Sequence, residues 1–293
     1  MTPDDPFGVD PRAVRKAFNA AARTYDAAAV LQAEVRARLL ERLDAVSVTP
    51  AGILDAGSGT GTAAAGLRSH YPDARIVLLD IAERMLKEAE AGGGTELTHA
   101  VCADAGRLPL ADNSVGLVFS NLMLQWAPDL DRVFLEFRRV LETSGLVVFS
   151  TFGPDTLGEL RAAWSEADGY NHVNRFIDMH DIGDALVRAG FAEPVMDLEH
   201  FTLTYPDLRA LMLDLKAIGA RNATAGRNRS LTGRGRPTAV EKAYRRWRRD
   251  GRLISTWEVI YGIAWVPGTP RGTGQQTSGG EVRVPMDLIP RRR

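Results

Sequence analysis

The stretch Ile53–Ala65, ILDAGSGTGTAAA, sets the tightest limit on what this chain folds into. A short apolar run leads into three glycines at alternate positions, Gly57, Gly59 and Gly61, and a helix-forming run follows. Glycine lets the main chain turn sharply and lets a ligand come close to backbone N–H groups. At a strand-to-helix junction those groups stand beside the positive end of a helix. The dinucleotide pattern Gly-x-Gly-x-x-Gly would place its third glycine where Thr62 stands, whereas here it comes one residue early. Alone, the loop predicts a bound ligand without choosing it.

The surrounding pattern gives the fold class. Apolar runs at 51–55, 75–79, 97–102, 115–120 and 145–151 predict strands, and amphipathic stretches at 61–69, 82–91 and 129–141 predict helices. Such alternation implies an α/β domain with a mainly parallel sheet and helices on both faces. Residues 11–45 read as helical, with Val14, Phe18, Ala21 and Tyr25 followed by Leu31, Val35 and Leu39 at helical spacing. After Thr151 come a helix and loop over 153–180, a helix over 181–189, and strands at 195–205 and 256–266. A helical insertion over 206–255 separates those two strands. The expected organisation is a helical cap at 1–48, a main domain at 49–266 and a tail at 267–293. The tail is rich in Gly, Pro, Thr and Arg and carries too little apolar surface to offset its ordering entropy.

The formal charge of −1 over 293 residues gives the whole molecule no pull toward nucleic acid or membrane, so any such pull must be local. The single cysteine, Cys102, excludes an internal disulfide and a Cys-rich zinc site, and it suggests a reducing, cytoplasmic setting. The five histidines are scattered, and no metal site is expected. The acidic start, MTPDDPFGVD, is no secretory signal, and no apolar run is long enough for a membrane span.

Carboxylates at the ends of successive predicted strands narrow the ligand. Asp80 ends the second strand about twenty residues beyond the glycine loop, where a carboxylate accepts both ribose hydroxyls and repels a 2′-phosphate. NAD would satisfy Asp80 equally well. Asp104 follows the third strand and can receive an adenine amino group, with Ile81 and Ala105 as apolar neighbours for the ring. Asp55 opens the glycine loop and can accept from backbone or from a ligand amino group. Asn121 ends the fourth strand. This carboxyl edge is where open α/β sheets bind ligands.

The run LDAGSGTG…LLD…CADAGRLPLADNSVGLVFSN resembles the class I S-adenosylmethionine-dependent methyltransferases over residues 50–151. That resemblance implies a Rossmann-like, seven-stranded sheet ending in an antiparallel hairpin. It also implies that Gly57, Gly59 and Gly61 shape the loop for the methionine moiety, Asp80 holds the ribose and Asp104 the adenine. Asn121 would then sit near the sulfonium. Ser58 stands where many relatives have cysteine. The Asn-Pro-Pro-Tyr-like motif of amide and nucleobase N-methyltransferases is missing from SNLMLQW at 120–126.

The segments AARTYD, NLMLQW, VNRF, DIGDALVRAGF, LTYPDLRALMLDLKAIGARN and RRDGRLISTWEVIYGIAW together are similar to the malonyl-[acyl-carrier protein] O-methyltransferases of biotin synthesis, up to Trp265. This resemblance implies methyl transfer to the free carboxylate of a malonyl thioester on acyl-carrier protein or coenzyme A. A carboxylate is already a nucleophile, so the site needs positioning and water exclusion more than a base, and positioning is worth about 7–11 kcal/mol. Arg175 is the candidate for a bidentate grip on the acid. Tyr25 and Trp126 are candidates for the pocket wall and lid. Phe176 is a weaker wall candidate, and His180 reads as a loop histidine.

Basic residues crowd 221–252, against only Glu241 and Asp250. Arg245, Arg246, Arg248 and Arg249 form the densest run, expected to meet an acidic carrier protein. RNA would use the same charge, but little aromatic interleaving beyond Tyr244 and Trp247 disfavours a stacking platform. Two other readings stay open: the related complex I assembly factors that hydroxylate a protein arginine, and a scaffold that binds the nucleoside or RNA without catalysis.

Overall fold

The computed structural model describes residues 8–92, 97–224, 226 and 235–268. The tail from residue 269, and Arg227, Arg229 and Arg234 of the basic segment, lie outside the described residues.

The core is a sheet built from β1 (Gly52–Ala56), β2 (Arg75–Asp80), β3 (Thr98–Cys102), β4 (Val115–Asn121), β5 (Leu141–Phe152), β6 (Ala192–Tyr205), β7 (Arg248–Arg249) and β8 (Arg252–Trp265). Its strand order is β3-β2-β1-β4-β5-β8-β6. The first five strands pair in parallel, and β8 runs antiparallel between β5 and β6. The expected seven strands are therefore present, joined by an eighth, the two-residue ribbon β7 folded onto β8. Its turn, Asp250-Gly251, has positive φ at both residues, as a tight Asp-Gly hairpin requires.

Six helices flank the parallel part or close its far end: α4 (Ala64–His70), α5 (Glu83–Ala91), α6 (Leu130–Val140), α7 (Gly158–Ser165), α8 (Met179–Arg188) and α9 (Leu208–Ala217). α10 (Gly235–Tyr244) packs on α7. Aspartates start several of them. Asp129 Oδ1 accepts from Arg132 N, Asp178 Oδ1 from His180 N and Asp207 Oδ1 from Ala210 N. The helix expected from residue 61 begins at Ala64, because Gly61 at φ 75° still belongs to the turn. Apolar side chains fill both faces of the sheet, Leu117 and Phe119 of β4 on one and Val118 on the other.

The N-terminal helices are α1 (Pro11–Ala21), α2 (Tyr25–Ala28) and α3 (Val30–Glu41). Proline at the first helical position and an Asp10 side chain accepting from Arg12 N and Ala13 N start α1. α3 buries Val35 and Leu39 against the sheet. Just beyond its end, Arg42 reaches Asp197 (2.5 Å) and Glu199 (2.9 Å) of β6 and lies over the Tyr261 ring at 3.7 Å. That contact ties the end of the helical segment to the antiparallel side of the sheet.

Candidate functional site

Strand order reverses between β1 and β4, so the loops after these strands diverge and leave a crevice at their carboxyl ends. The glycine loop shapes one wall. Gly57, Gly59 and Gly61 all have positive φ, at 75°, 55° and 75°. A Cβ on Gly57 would stand 2.3 Å from Met123, and one on Gly61 would stand 2.9 Å from Ala89. A Cβ on Gly59 would meet only Tyr25, at 4.0 Å. Gly57 and Gly61 thus allow close packing, while Gly59 keeps its outer side open.

Asp80 ties this loop to β2. Its Oδ2 accepts from Gly59 N (3.0 Å) and its Oδ1 from Ala82 N (2.7 Å). Burial pushes this carboxyl up, and the N–H bonds from Ala82, Gly59 and Ile81 pull it back only in part. Asp55 is 1% exposed, and its Oδ2 has no hydrogen-bond partner among the described residues. Burial first, and then the charge of Asp80, push Asp55 up to about 7. A buried acid with an unpartnered oxygen among the described residues, next to the part-buried Asp80, favours a cationic guest.

The crevice is lined by Gly57, Gly59, Asp80, Ile81, Asp104, Ala105 and Asn121, with Tyr25 and Trp126. Asp55 and Gly61 stand behind it rather than on it. Asp104 Oδ1 accepts from Gly106 N (2.8 Å), and the side chain is exposed. Asn121 donates to Gln32 O (3.2 Å) and accepts from Ser150 Oγ (2.9 Å). Leu122, at φ 50°, turns the chain just past β4 and also lines the crevice. Burial raises the Tyr25 phenol far above its ordinary range, with the nearby Asp80 charge adding to it, so it stays a neutral donor. The N-terminal helices close the crevice. Phe18 of α1 meets Trp126 edge-on with ring centroids 5.4 Å apart, and Thr60 of the loop donates to Asp26 Oδ1 at 2.6 Å.

Trp126 also lines a second cavity, of about 460 Å³. Phe152, Leu157, Leu160, Trp164 and Trp257 wall it, and the Phe152 and Trp257 rings lie 5.1 Å apart. Trp164 stacks on His172 at 3.6 Å. Two polar atoms of lining residues, Trp257 Nε1 and Asn174 Oδ1, are buried without a partner among the described residues. Exposed Arg209, Lys216 and Arg221 complete the lining, so they mark its mouth. Arg175 sits between the lining residues Asn174 and Phe176, but its own side chain is exposed and outside the lining. His180 is exposed at the start of α8, paired with Asp178.

Sequence reasoning missed Phe18 and Met123 on the crevice, and Asn174, Trp257 and the α9 cations on the cavity. Phe18 reads as an ordinary helix-core residue, and nothing in linear spacing joins 174 to 257. Away from both linings, Asp155, His200 and Glu258 bring ligand-type atoms within 4.8 Å of one another. Glu258 Oε2 already accepts from Asp155 N there, at 2.6 Å.

A glycine-loop crevice with acids at the ends of β2 and β3, beside an acceptor-sized cavity on this sheet order, defines a class I methyltransferase domain. A family model described as "Methyltransferase domain" matches residues 54–149. A solved protein of Bacillus halodurans C-125 shares the fold at TM-score 0.58, with 19% identity over 79% of this chain and 98% of that one. Two curated proteins called malonyl-[acyl-carrier protein] O-methyltransferase are far more similar. The one from Methylovorus sp. (strain MP688) is 54% identical over 90% of this chain and 91% of its own. The one from Halorhodospira halophila is 48% identical over the full length of both. This chain belongs to the malonyl-[acyl-carrier protein] O-methyltransferase family.

The residues lining the crevice fit S-adenosylmethionine: the open side of Gly59 leaves room against the backbone, and Asp80 beside it offers a carboxylate to a polar or cationic guest. Among the described residues, no helix is long and apolar enough to cross a membrane.

Proposed function

We propose that this protein transfers a methyl group from S-adenosylmethionine to the free carboxylate of malonyl-acyl-carrier protein, forming the methyl ester that primes biotin synthesis. The observation that carries the reading is the joint at Trp126, where a crevice lined by carboxylates adjoins an apolar cavity with a cationic mouth.

When bound, S-adenosylmethionine supplies an electrophilic methyl on a positive sulfur. Asp80 would hold the ribose hydroxyls, Asp104 the adenine amino group, and Ile81 and Ala105 the ring faces. Asp55, buried behind the glycine loop, would act on the ammonium through its charge rather than by lining the crevice, and the ammonium would offset the repulsion from Asp80. Asn121, locked by Gln32 and Ser150, would present a fixed edge near the sulfur. Tyr25 and Trp126 would wall the joint and exclude water, and the neutral Tyr25 would donate a hydrogen bond rather than take a proton.

On the acceptor side, Phe152, Trp164 and Trp257 strip water from the acyl group, which strengthens every polar contact made there. Trp257 Nε1 donates to an acceptor oxygen, and the Asn174 amide presents a second polar partner. Arg175 grips the carboxylate once its side chain swings inward from the 173–176 segment. No proton has to be removed, because the attacking group is an anion throughout neutral pH.

The test compares acyl groups. With isotopically labelled S-adenosylmethionine, malonyl-acyl-carrier protein takes up label and acetyl-acyl-carrier protein, which lacks the second carboxylate, does not. Equal labelling of both, or of neither, defeats the reading.

A further inference from the structure

The helix α9 presents two unlike faces. Leu208, Leu211 and Leu215 are buried. Arg209, Met212, Leu213 and Lys216 are exposed and stand at i, i+3, i+4 and i+7, one stripe of a helix. All four belong to the lining of the second cavity, together with Arg221, so the stripe is the rim of its mouth.

The rim sets exposed apolar side chains between cations. Met212 is 40% exposed and Leu213 52% exposed, side by side, between cations. Arg209, Lys216 and Arg221 form no ion pair among the described residues; Arg245 and Arg249 form none either, so it is the place of the three at the cavity mouth that sets them apart. The nearest acids on the helix are engaged elsewhere. Asp207 Oδ1 caps α9 at Ala210 N, and Asp214 accepts from the Tyr205 hydroxyl at 2.6 Å. Unpaired cations flanking exposed apolar side chains suit a partner with acids around an apolar stripe.

We infer that the outer face of α9, with Arg221, is the docking surface for acyl-carrier protein itself. Carboxylates of the carrier meet Arg209, Lys216 and Arg221, and an apolar strip of one of its helices covers Met212 and Leu213. The inference rests on the function proposed above: an acyl group tethered to a protein enters through this mouth only if the protein's body sits on the rim. Coenzyme A brings phosphates but no apolar helix face, so it would use the cations and leave Met212 and Leu213 uncovered. The run expected from sequence, Arg245 to Arg249, is partly committed within the fold. Arg246 pairs with Glu166, and Arg248 donates to the Pro206 carbonyl at 3.1 Å. None of Arg245, Arg246, Arg248 and Arg249 lines the cavity.

The test reads binding, not turnover. Fluorescently labelled holo-acyl-carrier protein is titrated with the parent, with Arg209→Glu/Lys216→Glu, with Met212→Ser/Leu213→Ser and with Arg245→Glu/Arg249→Glu, and malonyl-CoA binding is followed in parallel. Both α9 variants should weaken carrier binding by about tenfold or more. The Ser variant should weaken the carrier several-fold more than it weakens malonyl-CoA, and equal loss for both would show that Met212 and Leu213 serve the cavity and not a protein face. Carrier binding unchanged in both α9 variants, lost only in the Arg245/Arg249 variant, or absent from the parent would overturn the docking surface. The function fails separately, if the parent binds the carrier yet methylates no malonyl thioester.

Discussion

Gly59 donates its backbone N–H to Asp80 Oδ2 across 3.0 Å, so the glycine loop after β1 and the end of β2 form one unit. The carboxylate that would receive the ribose is also the group that shapes the loop beside it. Donor recognition and loop conformation are therefore coupled at a single side chain.

Asp80→Ala removes an acceptor shared by the Gly59 and Ala82 amides and takes away the ribose contact. Hydrogen bonds to a charged group contribute about 1.5–3 kcal/mol, so S-adenosylmethionine affinity should fall roughly tenfold to a hundredfold. Isothermal titration calorimetry measures it. An affinity within about twofold of the parent would detach Asp80 from the site.

Asp55 carries the pH dependence. Its carboxyl rises from an ordinary 3.8 to about 7 in the fold, so the native protein holds a proton there that the unfolded chain has released. Between these two values the native state binds more protons, and stability from this group is present below about pH 4 and lost as pH rises through about 7. Melting curves of the ligand-free protein should show this contribution fading over that window, and Asp55→Asn should remove it. A ligand ammonium beside Asp55 should lower the carboxyl again, so donor binding near pH 6 should release a proton. Calorimetry in buffers of different ionisation enthalpy reads that release directly.

Asn174→Leu replaces a buried amide, whose Oδ1 has no partner among the described residues, by an apolar side chain of similar size. Removing an unsatisfied polar group is neutral or stabilising in the free protein. The melting temperature should hold or rise while KM for the malonyl acceptor increases and donor affinity stays put. A fall in melting temperature with unchanged KM would make Asn174 a structural residue.

Arg175→Ala should lower methylation of malonyl-acyl-carrier protein at saturating donor, while Arg175→Lys should restore only part of it, because lysine lacks the bidentate fork. Equal rates in the parent and Arg175→Ala would move the grip on the carboxylate elsewhere.

The donor crevice was legible in the sequence because its parts are local. Glycines at the end of one strand, an acid at the end of the next and a second acid after the following strand are set by chain order, and a parallel sheet brings such ends to one edge. The acceptor cavity was not legible in that way. Asn174 and Trp257 lie on segments more than eighty positions apart and become neighbours only when β8 inserts between β5 and β6. The basic run at 245–249 stood out because its charges are consecutive. The rim cations Arg209, Lys216 and Arg221 are spread along a helix and its exit, so their gathering depends on helical phase and on the folding of α9 over the cavity.

The most direct measurement is a single turnover of enzyme loaded with S-adenosylmethionine carrying an isotopic methyl, mixed with malonyl-acyl-carrier protein and analysed by mass spectrometry after mild alkaline hydrolysis. The account predicts one label per acyl group, lost to base as methanol, which is the behaviour of a methyl ester on the distal carboxylate. Label that resists base, label on the carrier's own side chains, or no transfer by protein that has bound the donor would contradict it.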